Sequence, residues 1–123
     1  MRLLVIGGSD AGIAAALRAR ELDPSVEATV VVADAFPNFS ICGLPYYLSG
    51  DAADWRSLAH RTSADLAAAG LELLLDHTAQ AIDPAAKQVT VTDSAGAERQ
   101  LVDAPRARGR PAWRVGYRMA WMM

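Results

Sequence analysis

A chain of 123 residues has the size of one common domain, which excludes two catalytic domains within these residues. With 52% hydrophobic and 21% charged residues it can bury a core, so neither global disorder nor a polar linker fits, and no apolar run approaches the roughly 18 residues of a membrane span. The net charge of −2 conceals a split: residues 1–103 hold all 14 acids and 7 of the 12 basic residues, whereas residues 104–123 hold five Arg and no acid. The opening MRLLVIGG lacks the length and cleavage pattern of a signal peptide, so the chain reads as cytoplasmic. Cys42 is the single cysteine, which excludes an internal disulfide and a multi-cysteine metal site and leaves a buried or a reactive thiol; no metal site is expected.

In chain order, Arg2 to Gly7 is a short apolar run closing in glycine, and Ala11, Ala14, Ala15, Leu17 and Leu22 follow at helical spacing. The helix should stop near Leu22, because Asp23-Pro24 disfavours its continuation. Glu27 to Asp34 is then a β-branched run suited to a buried parallel strand, completing a β-α-β unit. Residues 35–54 are loop-rich, with Pro37, Gly43, Pro45 and Gly50 around Cys42. Trp55 to Ala69 has helical periodicity and meets Gly70 as its terminating glycine, and Leu71 to Asp76 is a third strand candidate. Lys87 to Thr92 alternates, turns through Asp93-Ser94-Ala95-Gly96 and returns as Glu98 to Val102, an antiparallel hairpin. The fold class is therefore α/β, a partial Rossmann-like domain over residues 1–103.

The turn Gly7-Gly8-Ser9-Asp10-Ala11-Gly12 lies between a strand and a helix, which is the setting of a dinucleotide fingerprint. Gly7 permits the sharp turn, the small Ser9 lets backbone approach a pyrophosphate, and Gly12 lets helix and strand pack closely while the helix N-terminus faces phosphate charge. Ser9 replaces the middle glycine of the strict pattern. Asp34 stands at the end of the second strand, where a carboxylate can bond an adenosine ribose; a solvated strand-end acid is the competing reading.

VIGGSDAGIAAALRARELD followed by NFSICGLPYYLSG resembles the N-terminal FAD-binding part of the single-cysteine pyridine nucleotide-disulfide oxidoreductases, a family that includes coenzyme A disulfide reductases, NADH oxidases and NADH peroxidases. The likeness continues through GLELLLDHTAQAIDPAAKQVTV and fades near Val102. It implies that Cys42 is the redox cysteine beside the flavin, and that Gly7, Gly8, Ser9, Ala11 and Gly12 hold the FAD pyrophosphate. Asp34 would take the ribose, and backbone near Thr78 and Ala79 would meet the adenine. It further implies NAD(P)H as electron donor and a small-molecule disulfide, peroxide or oxygen as acceptor. Ile41 and Asn38 depart from the pattern of coenzyme A disulfide reductases, which commonly carry a polar residue before the cysteine and Ser in place of Asn38. Arg18, Arg20 and Arg61 could neutralise an anionic substrate or simply face solvent, and His60 has no visible metal partner.

Family members continue for hundreds of residues, into a nicotinamide-binding domain, the rest of the FAD domain and a dimerisation domain. Here the composition changes abruptly after Asp103 to Arg, Pro, Gly and Trp, as a shifted reading frame in GC-rich DNA would produce. Residues 104–123 are therefore expected to be a basic, disordered or out-of-frame tail on a truncated oxidoreductase that is inactive as written; binding of the tail to nucleic acid is the weaker alternative. A second functional reading is a free-standing adenine-nucleotide or FAD-binding module, or a half-domain completed by another chain. Without a later strand beside Leu3 to Ile6, that edge would be open to self-association.

Overall fold

The computed structural model describes residues 1–102. Three parallel strands, β1 (Arg2–Ile6), β2 (Glu27–Val31) and β3 (Leu71–Leu74), lie in the order β1-β2-β3. Leu3 pairs with Ala28, which pairs with Leu71, so the register is continuous across the sheet. Helix α1 (Asp10–Leu22) makes the crossover from β1 to β2. It ends where the sequence predicts, with the Asp23 amide donating to the Ala19 carbonyl at 3.0 Å.

Side chains alternate across a strand, so each strand feeds two cores. On one face Ala28, Val30 and Leu71 pack with Ile13 and Ala16 of α1 and with Leu66. On the other, Val31 is buried with Val89 and Val91, and Leu4, Leu74, Ala79 and Leu101 pack around them. The second core is supplied by an antiparallel meander of β4 (His77–Asp83), β5 (Gln88–Asp93) and β6 (Glu98–Val102). Both faces of β2 are thus covered, in keeping with the apolar Ala28, Val30 and Val31 buried within it.

The structure corrects the expected elements in three places. The hairpin of β5 and β6 is two-thirds of a three-stranded sheet: β4 has only Ala79 packed inward and is otherwise mostly exposed, so its Ala- and polar-rich sequence carries little strand signal. The expected helix from Trp55 to Ala69 is divided into a 3-10 turn at Trp55–Leu58 and helix α3 (Ser63–Ala68). Between them Ala59 is extended and bridges Phe39, and Thr62 restarts the helix through a capping box with Asp65. Gly70 does terminate that helix, at φ +83°. Within the loop-rich stretch, Cys42 lies in a 3-10 turn (Ile41–Gly43) that runs into the short helix α2 (Leu44–Leu48). The tail beyond residue 103, including its predicted disorder, lies outside the described residues.

Candidate functional site

The glycine turn is built by three different requirements. Gly7 has φ +101°, with open space where a side chain would stand, and its amide donates to the Val31 carbonyl at 2.8 Å, tying the turn to the end of β2. A Cβ on Gly12 would come within 2.9 Å of Val5 Cγ1, so glycine there lets α1 lie close on β1. A Cβ on Gly8 would run into the Pro37 carbonyl oxygen, so this glycine accommodates the segment leading to Cys42. Ser9 caps α1: its hydroxyl accepts from the Gly12 amide at 3.3 Å.

An open cleft of about 550 Å³ lies beside this turn. Gly8 and Ser9 line it from the turn, Val32 and Asp34 from the segment after β2, which stops at Val31 and not at the expected Asp34, and Phe36, Phe39, Ile41 and Trp55 from the loops beyond. Asp34 is exposed and its Oδ1 accepts from the Phe36 amide at 3.3 Å, leaving carboxylate capacity toward solvent. The aromatic wall is internally organised, with Phe36 edge-on to Trp55 at 4.7 Å between centroids and the Arg56 guanidinium 4.7 Å over the Trp55 ring.

Of the residues singled out from the sequence, Gly8, Ser9 and Asp34 share the cleft wall. Cys42 is exposed one residue beyond Ile41, which lines the cleft. Gly7, Ala11 and Gly12 belong to the adjoining turn and helix start without lining the cleft, and Ala79 packs with its side chain against the Val31, Val89 and Val91 core. Arg20 is structural: its guanidinium donates to the carbonyls of Pro24 and Val26 at 2.6 and 2.7 Å. Arg18 pairs with Glu21 on the exposed face of α1. Among the described residues no group of three or more His, Cys, Asp and Glu could hold a metal ion, and no helix is long and apolar enough to cross a membrane.

Sequence reasoning missed two features here. The first is the Phe36, Phe39 and Trp55 wall, whose members come from separate loops; the only signal was aromatic residues on either side of Pro37-Asn38. The second is a polar network under the cysteine segment. Asn38 is 1% exposed, and its side-chain amide donates to Asp10 Oδ1 at 2.8 Å and to the Gly8 carbonyl at 3.3 Å. His60 Nδ1 lies 3.1 Å from the same Asp10 oxygen. The Asn38 bond above all, then the His60 bond, holds the Asp10 carboxyl below the ordinary carboxylate range, although Asp10 is largely exposed.

A strand, a glycine turn, a capped helix and a second parallel strand define a Rossmann-like α/β fold. The family model for pyridine nucleotide-disulphide oxidoreductases matches residues 1–105, and the chain belongs to that family. Among solved structures it is similar to the water-forming NADH oxidase from Lactobacillus brevis bound to NADH, with 31% identity and a TM-score of 0.77 over 83% of this chain and 23% of that one. It is likewise similar to a NAD-dependent persulfide reductase from A. fulgidus, with 33% identity and a TM-score of 0.77 over 83% of this chain and 19% of that one. Reduced Bacillus anthracis CoADR-RHD, at 23% identity and a TM-score of 0.78 over 82% of this chain and 18% of that one, shares the fold. The chain thus spans about a fifth of the length of these relatives.

Proposed function

We propose that residues 1–102 form the adenosine-diphosphate-binding part of an FAD-dependent NAD(P)H oxidoreductase in which Cys42 is the redox cysteine. The observation that carries this reading is the cleft, which joins the glycine turn at Gly8 and Ser9, the carboxylate of Asp34 just after β2, and Ile41, the neighbour of Cys42. The residues present fit the cofactor's diphosphate half: Gly7 has open space on its side-chain side, and the capped start of the thirteen-residue helix α1 offers amide donors to an anion.

Gly7, Gly8, Ser9, Ala11 and Gly12 would hold the pyrophosphate, Asp34 the ribose, and backbone beside Ala79 the adenine. FAD, when bound, supplies a two-electron carrier between NAD(P)H and the cysteine. Cys42, exposed at the cleft's edge, contributes the sulfur that meets a disulfide or peroxide acceptor, with oxygen as the other candidate acceptor. The relatives named for NADH oxidation and persulfide reduction support the donor and acceptor classes. The 123 residues by themselves are proposed to bind FAD weakly and not to turn over.

The testing experiment is titration of the chain with ADP, followed by amide chemical shifts. Saturable shifts at Gly7 to Gly12, Asp34 and Ala79 are expected, and Gly12→Val should remove them by filling the space against Val5. Shifts confined to other surfaces, or unchanged affinity in that variant, would overturn the reading.

A further inference from the structure

Little apolar burial holds the cysteine segment in place. Neither the 3-10 turn at Ile41–Gly43 nor α2 contains a buried residue, and Ile41, Tyr46 and Leu48 are exposed. The segment is fastened on one side by backbone bonds to the neighbouring loop: the Ser40 amide to the Leu58 carbonyl at 2.9 Å and the His60 amide to the Asn38 carbonyl at 3.2 Å. On the other side, toward the glycine turn, it is fastened by the Asn38 side chain, the buried polar side chain among the described residues. Both acceptors of its amide, the Gly8 carbonyl and Asp10 Oδ1, belong to the turn and the first residue of α1. Their positions also fix the orientation of the amide, because turning it over would set Asn38 Oδ1 against two acceptors.

We propose that Asn38 is a positioning residue that couples the glycine turn to the Cys42 segment, so that a displacement of Gly8 or Asp10 is transmitted to the cysteine. Asp10 extends the coupling to His60, which it meets through the same oxygen, and His60 returns it to Asn38 through its amide. The network is a closed ring through Asp10, Asn38 and His60. The bond to an ionised carboxylate is the strong member of this set, whereas the longer contact to Gly8 sets direction. The geometry stands without a ligand; its catalytic consequence rests on the reading of Cys42 as the redox residue and of the turn as the diphosphate site.

Amide hydrogen exchange on the full chain tests it, with Ser40, Gly43 and His60 reporting on the segment and Val32, bonded to the Leu74 carbonyl in the sheet, as reference. In Asn38→Ala the segment amides should lose about tenfold protection while Val32 is unchanged. Asp10→Ala should expose the same amides to a smaller degree, and the double variant should be no faster than Asn38→Ala alone. Asn38→Asp, which sets two carboxyls together, should lose protection at neutral pH and regain it at acid pH, where the pair shares a proton. Equal loss at Val32, unchanged segment amides or multiplying effects in the double variant would overturn the coupling. If Asn38→Ala does not fold, the exposed Asp10→Ala variant decides by the presence or absence of the segment response. ADP should alter protection at Ser40 and His60 in the wild type and not in Asn38→Ala; failure of ADP to bind at all would count against the diphosphate site and leave the ligand-free cycle to decide the coupling.

Discussion

Asp10 shows how one side chain serves two segments. Its carboxyl is held below the ordinary range first by the Asn38 amide and then by His60, with His60 and Arg61 adding favourable charge. A depressed carboxyl contributes stability that is present above its unfolded value and is lost as pH falls through the lower folded one, so the contribution should disappear below about pH 4. Asp10→Asn should therefore flatten the acid limb of thermal stability measured between pH 2 and 6, and an unchanged limb would remove Asp10 as its source. The residue also explains a limit of sequence reading. Asp10 is visible there only as a filler within the glycine motif, because its partners lie 28 and 50 positions away.

Glycine has different work at three positions of one turn, and the element scale separates them. Gly12 governs the fit of α1 on β1, and Gly8 governs the approach of the loop at Pro37. Gly8→Ala should consequently cost on the order of 1–3 kcal/mol in chemical denaturation, because the opposing atom is backbone and not a yielding side-chain tip. At α3, Thr62 accepts from the Asp65 amide at 3.2 Å while Asp65 accepts from the Thr62 amide at 2.9 Å. Thr62→Ala should cost about 1 kcal/mol, and the loss should be confined to a helix that positions the fully buried Leu66. The sequence reading runs one helix through Thr62 and does not take the Thr62-x-x-Asp65 spacing as a start. What hid the division of the expected helix was the pairing of Ala59 with Phe39, a contact between loops that periodicity cannot register.

For the whole molecule, the described sheet leaves β1 paired on one side only, by β2. Ile6 at its end is 48% exposed, and unpaired strand backbone beside an apolar residue recruits other strands. Self-association through this edge is expected to appear as concentration-dependent mass in sedimentation and to fall in Ile6→Lys; an unchanged mass would place the contact elsewhere. NADH oxidation by the 123-residue chain should be undetectable with oxygen, peroxide or a disulfide as acceptor. When the chain is joined to the remaining four-fifths of a relative's length, Cys42→Ser should abolish disulfide or peroxide reduction and spare flavin reduction by NADH.

The β-α-β unit, the glycine turn, the end of α1 and the single cysteine follow from the sequence by itself, because each depends on neighbours within a few positions: an apolar period, a cap, a proline or a small residue. The packing of the antiparallel meander against the parallel sheet did not. β4 is a strand because β5 pairs with it and the Val31 face needs cover, and neither cause is written in its own Ala- and polar-rich residues. The same holds at the site. Gly8, Ser9 and Asp34 could be named from local pattern, whereas Phe36, Trp55, Asn38 and His60 acquire their positions from contacts between loops distant in the chain. A buried amide such as Asn38 must find partners wherever the fold brings them, so its role is decided by tertiary packing, not by sequence neighbours.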